Sequence, residues 1–156
     1  MSDNQQLIET FYTAFKNKDY TTMQQCYADQ AVFNDAVFKN LDARQVRSMW
    51  EMLLKRSKDL DLTFTNVQST GNTGSVEWIA TYTFASTGRK VINKIKASFE
   101  FEHGKIIKHT DQFPFHTWAK QALGTTGLLL GRTGYLKKKV QKTAMKSLQD
   151  FMEKRP

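Results

Sequence analysis

At 156 residues the chain is long enough for one domain with a real core and too short for two comfortable ones. Its hydrophobic content of 40% and charged content of 24% are ordinary for a soluble globular protein. The longest apolar run, Leu128-Leu129-Leu130, falls far short of a membrane span. The net charge of +8 is unevenly placed. From Arg132 onward the basic residues 132, 137, 138, 139, 142, 146, 154 and 155 face only Asp150 and Glu153, a net +6, and the rest of the chain carries +2. The excess therefore belongs to a C-terminal appendix. Eleven Phe, five Tyr and three Trp predict a bulky core or a cavity with aromatic walls. Cys26 is the single cysteine, and the N-terminus has neither the basic nor the apolar region of a secretory signal. The expectation is a cytoplasmic protein without disulfides.

In chain order, Leu7, Ile8, Phe11 and Phe15 place one apolar face on a helix over residues 4–18. Asp19 caps a shorter helix running through Met23, Cys26 and Tyr27. A short strand follows over Ala31 to Asp35. Asp42 caps a third helix with the stripe Val46, Met49, Trp50, Leu53 and Leu54. Leu60, Leu62 and Phe64 alternate as a half-buried strand, and Gly71 to Gly74 turn the chain. Two longer strands alternate cleanly, with Val76, Trp78, Ala80, Tyr82 and Phe84 on one face of the first. Val91, Asn93, Ile95, Ala97, Phe99 and Phe101 line one face of the second. A hairpin at His103-Gly104 leads into a last strand whose inward positions are Ile107, His109, Asp111 and Phe113. The pattern predicts an α+β fold in which helices cover one face of an antiparallel meander.

Asn93, His109 and Asp111 fall on apolar faces. Burying a carboxylate costs several kcal/mol unless it is partnered, so Asp111 requires an explanation. Either it is an acid or base in an apolar cavity, or it caps the helix that begins near Phe115. Asp35 ends the short strand, where it serves as a turn former or as a second carboxylate beside Asp111. His109 reads first as a core or rim histidine and second as a catalytic one. No metal site is expected: His103, His109 and His116 lack ligand spacing, and no phosphate loop or nucleophile elbow is present.

The run Cys26-Tyr-Ala-Asp-Gln-Ala-Val-Phe-Asn-Asp-Ala-Val-Phe38 resembles a segment of the SnoaL-like, nuclear-transport-factor-two-like superfamily. His109-Thr-Asp-Gln-Phe113, Trp118 and Gln121-Ala-Leu-Gly124 are similar to its last strand and following helix, so the resemblance covers about residues 5–124. It implies a cone-shaped curved antiparallel sheet with N-terminal helices on its concave face. The implied domain spans 1–124, with 125–156 as a basic amphipathic helical extension packed on it. Asp35 matches the proton-shuttling base of the ketosteroid isomerase branch. That enzyme's oxyanion-hole positions carry Phe11 and Ala97 here, so its mechanism does not transfer. Asp111 matches the acid/base aspartate of the polyketide cyclases and the epoxide hydrolase branch. The Arg-x-Asp pair of the latter is replaced by Ala80 and Tyr82.

The resemblance implies candidate catalytic residues Asp111, Asp35 and His109. Phe11, Phe15, Trp50, Trp78, Tyr82 and Asn93 are candidate ligand-binding positions. It implies no cofactor, and a homodimer through the outer face of the sheet near Ile79, Thr81 and Thr83. The functional expectation is a cavity protein for a small apolar carbonyl compound, acting as isomerase, cyclase or hydrolase. A non-catalytic ligand-binding or dimerisation module is the alternative. In the appendix, Leu136, Val140, Ala144, Leu148 and Phe151 form a helical stripe opposite lysines. That stripe packs on the domain or a partner, or lies on an anionic membrane, a reading not favoured. Nucleic acid is the least favoured partner, since no recognition motif accompanies the charge.

Overall fold

The computed structural model describes residues 2–154; Arg155, counted above with the basic tail, lies outside them. Helix α1 (Asp3–Lys16) starts where the Ser2 side chain accepts the Gln5 N–H, and buries Ile8, Phe11, Tyr12 and Phe15 along one face. Asp19 caps α2 (Tyr20–Gln25) as expected, but the helix stops before Cys26, and Tyr27 opens strand β1 (Tyr27–Asn34). The predicted helix ran through Tyr27, and the strand began at Ala31. The first half of the strand carries no alternation in sequence because its pairing shifts register between Tyr27 and Val32. Helix α3 (Ala43–Arg56) begins with a capping box between Asp42 and Gln45.

Strands β2 (Asp61–Thr70), β3 (Thr73–Phe84), β4 (Arg89–Glu102) and β5 (Lys105–Gln112) complete one curved, open sheet in the order β1-β5-β4-β3-β2. It is antiparallel except for β1, which runs parallel to β5. Strand β2 continues past Phe64 as a mostly exposed edge, with a register shift between Thr65 and Gln68 and Asn66 at φ 58°. In β4 the predicted alternation is complete, from Val91 to Phe101. In β5 it is corrected at the start. A bulge opposite Glu100 and Phe101 buries Ile106 fully and leaves Ile107 half-buried; beyond it, His109 and Asp111 point inward as expected. The outer face of the sheet exposes Ile79 and Ile92.

After β5 come α4 (Phe115–Leu123), α5 (Thr125–Leu130) and α6 (Gly134–Glu153). Gly124, at φ 64°, ends α4, and a methyl group at Gly127 would run into the Ala119 backbone carbonyl. That close crossing holds α5 against α4. Helix α6 folds back across α3 and turns its apolar stripe inward. Leu148 is entirely buried in the main core, and Leu136 joins a second cluster with Val91, Phe115 and Trp118. Two polar ties fix its position. Arg56 Nη1 donates to Ser147 Oγ at 2.7 Å, and Gln141 Nε2 donates to the Ala36 carbonyl at 3.0 Å, beside Asp35.

Candidate functional site

The pairing of β5 with its neighbours decides what surrounds Asp111. Parallel pairing sets Phe33 beside His109, and antiparallel pairing sets Phe99 opposite His109 and Ala97 opposite Asp111. The His109 ring is therefore boxed in by aromatics, with the Phe99 centroid at 4.3 Å and the Phe33 centroid at 4.9 Å. Opposite Asp111 stands only the methyl group of Ala97.

A continuous hydrogen-bonded chain runs through this box. Trp50 Nε1 donates to the Tyr27 hydroxyl at 2.9 Å, and that hydroxyl lies 2.8 Å from His109 Nδ1. His109 Nε2 lies 2.9 Å from Asp111 Oδ1, which also accepts from Trp78 Nε1 at 3.4 Å. One proton arrangement leaves no member unpaired: Tyr27 donates to Nδ1, and Nε2–H donates to Asp111. His109 is fully buried, and Tyr27, Trp50 and Asp111 are nearly so. Burial pushes the Tyr27 hydroxyl well above its ordinary pKa, so it remains a proton donor in this chain. Asp111 does not cap a helix. Helix α4 begins at Pro114 without any side-chain cap, so the capping alternative is overturned.

Asp111 faces a cavity of about 660 Å³ between the sheet and helices α3, α4 and α6. Its walls include Phe15, Trp50 and Trp78, and its polar groups include Asp35, Tyr82 and Asn93. The far wall comes from α6, through Leu136, Lys139, Val140 and Thr143. Tyr82 accepts the Trp118 Nε1–H at 2.8 Å, which leaves its own hydrogen to donate. Asn93 is 8% exposed. Phe11 and His109 do not reach the cavity. Phe11 is completely buried at the centre of the aromatic core, and His109 stands behind Asp111.

Asp35 forms a turn and lines the cavity. Its Oδ1 accepts the Val37 and Phe38 N–H groups at 2.7 and 2.6 Å, a tight turn after β1, and the side chain also lines the cavity. Because Asn34 pairs with Thr110, Asp35 and Asp111 follow each other on adjacent strands. Burial raises the Asp35 carboxyl to about 6; the Phe38 N–H opposes the rise and the Asp111 charge adds to it. Cys26 takes no part: burial pushes its thiol up to about 11, and it donates to the Thr22 carbonyl. Among the described residues, no group of three His, Cys, Asp or Glu side chains is placed to hold a metal ion.

Two tyrosines of this region were not foreseen. Tyr27 was hidden by its assignment to a helix. Tyr12 sits beside Phe11, is completely buried, and lies tilted against the Phe64 and Trp78 rings. Among the described residues its hydroxyl has no hydrogen-bond partner, and burial, followed by the Asp111 and Tyr27 charges, raises its pKa well above the ordinary value. Tyr12→Phe is expected to stabilise the protein by about 1–3 kcal/mol, because it removes an unsatisfied buried group without changing shape. A lower melting temperature for this variant would show that the hydroxyl is satisfied in solution.

Fold and site together define an α+β cone whose open sheet and helices enclose a carboxylate-bearing cavity. The SnoaL-like domain matches residues 8–109, and the chain belongs to that family. No curated protein matches it in sequence. Among solved structures it resembles an M. tuberculosis LEH-like epoxide hydrolase at 18% identity and TM-score 0.65, over 82% of this chain and 93% of that one. It also resembles IdmH, a putative polyketide cyclase from Streptomyces antibioticus, at 19% identity and TM-score 0.63, over 78% and 99% of the two chains. A third likeness is an NTF2-like protein of unknown function from Burkholderia pseudomallei, at 18% identity and TM-score 0.62, over 72% and 92%. Likeness at these identities is one of fold. Among the described residues no helix is long and apolar enough to cross a membrane.

Proposed function

We propose that this protein is an acid/base enzyme of the isomerase, cyclase or hydrolase kind, with Asp111 moving a proton on a small apolar carbonyl compound held in the cavity. The observation that carries this reading is the pair of carboxylates on an otherwise largely apolar wall, one of them backed by a buried His–Tyr–Trp chain. Both protein donors to Asp111 converge on Oδ1, so Oδ2 is the oxygen turned to chemistry. Oδ2 takes a proton from the carbon next to the carbonyl, and the electron pair moves onto the carbonyl oxygen. Asp35, neutral below a pH of about 6, donates a hydrogen bond to that oxygen. His109 orients the Asp111 carboxylate, and the aromatic walls exclude water. Asn93 lies four residues along β4 from Ala97, roughly 13 Å at strand spacing, and so serves a remote polar group of the ligand.

The LEH-like epoxide hydrolase and the putative polyketide cyclase that resemble this chain are in keeping with this chemistry. A non-catalytic binding module is the second reading, favoured by the two backbone N–H groups that already occupy Asp35 Oδ1. A panel of apolar cyclic ketones in D₂O separates the two. The enzyme should speed deuterium uptake next to the carbonyl, and Asp111→Asn should lower that rate by about 10²–10⁴-fold while thermal shifts still report binding. Ketones that bind without any deuterium uptake above the buffer rate would leave only the binding module.

A further inference from the structure

The acid/base reading leaves unused a run of exposed large apolar residues. Leu128, Leu129 and Leu130 on α5 are 55%, 72% and 40% exposed, and Tyr135 at the start of α6 is 70% exposed. Among the described residues none of this knuckle joins either hydrophobic cluster, and single-domain proteins rarely group large apolar side chains at the surface. Along the chain, the charge on both sides of it is of one sign. Between Asp111 and Asp150 the chain has no acidic residue, whereas it carries Lys120, Arg132, Lys137, Lys138, Lys139, Lys142 and Lys146.

Helical geometry sorts these groups. With the stripe Leu136, Val140, Ala144 and Leu148 turned inward, residues 135, 138, 142 and 146 fall on the opposite face of α6. Tyr135 therefore heads a row of exposed lysines that continues from the leucine knuckle. Among the described residues, Lys146 pairs with Asp150, and Lys138 and Lys142 form no ion pair. The helix's own apolar stripe is turned toward the domain, with Leu136 and Leu148 buried, so the exposed apolar anchor lies one element earlier.

We propose that the α5 knuckle and the outer face of α6 form a docking surface for an anionic lipid bilayer. Leu128, Leu129 and Tyr135 enter the interface, and Arg132, Lys138 and Lys142 meet the headgroups. Charge decides against a second copy of the chain, because two such surfaces would bring their lysine rows together while the nearest acid along the helix, Asp150, already pairs with Lys146. The same two helices wall the cavity through Thr126, Leu136, Lys139 and Val140, so docking sets the cavity against the lipid, where apolar compounds dissolve.

Co-sedimentation of the full chain tests this with vesicles of phosphatidylcholine alone or with about one-third phosphatidylglycerol. Binding to the anionic vesicles should be at least about tenfold tighter than to the neutral ones and should fall as salt rises. Leu128→Ser with Leu129→Ser, and separately Lys138→Glu with Lys142→Glu, should each weaken it by about tenfold or more. All these residues are exposed, so unchanged circular dichroism and melting temperature are expected and certify the fold. Absence of binding to anionic vesicles, or full binding by either double variant, overturns the proposal. So does a dimer seen by light scattering that the leucine variant dissociates, since the knuckle is then a contact between copies.

Discussion

His109→Ala is expected to cost about 3–5 kcal/mol of stability, which for a domain of this size lowers the melting temperature by roughly 10 °C or more. Three losses combine. The ring leaves a void between Phe33 and Phe99, which the sheet cannot close because both neighbours are fixed by strand pairing. The Tyr27 hydroxyl loses its acceptor, and Asp111 keeps only the long bond from Trp78. Tyr27→Phe breaks the same chain at one point and keeps the ring volume, so it should cost about 1–3 kcal/mol. The double variant should cost less than the sum by about 1 kcal/mol or more, because the members act as one network. Chemical denaturation of the four proteins measures this cycle. Strict additivity, or a loss under about 1 kcal/mol for His109→Ala, would mean that the chain of bonds does not act as a unit.

That network was only partly legible in the sequence, for a physical reason. Period-two alternation is a local property, so β4 could be read residue by residue, and Asp111 and His109 could be placed on the inner face of β5. Ile107 was misplaced because one bulge shifts the phase, and a bulge depends on the partner strand. What lies behind Asp111 is not local at all. Tyr27 arrives there through the parallel pairing of β1 with β5, between residues some eighty positions apart. The cavity shows the same division. Phe15, Trp50 and Trp78 were readable as wall candidates, whereas Phe11, on the same helical face as Phe15, is sealed in the core. The stripe of α6 was equally plain in the sequence. Which surface it would cover was not, because that is decided by the close α4–α5 crossing at Gly127 and the seat on α3.

The second large effect concerns Asp35 and pH. Its carboxyl sits at about 6 in the folded protein, against roughly 3.9 in an unfolded chain. Between those values the folded state holds a proton that the unfolded state gives up. The stability linked to this group is therefore fully present below about pH 4 and is lost as pH rises through 6. By pH 7.5 the ionised carboxylate costs about 2–3 kcal/mol. Asp35→Asn keeps an oxygen for the Val37 and Phe38 N–H groups but cannot ionise. The variant should accordingly be more stable than the wild type by about 2–3 kcal/mol at pH 7.5, with the difference shrinking below about 1 kcal/mol near pH 4. Urea denaturation of both proteins across that range is the measurement, and parallel stability curves would refute the raised pKa. A stabilised Asn variant would also bear on the site itself. A turn acceptor has no need of an ionisable group, so a carboxyl that destabilises the fold at neutral pH while lining the cavity is in keeping with the hydrogen-bond donation proposed for it, which the turn alone does not require.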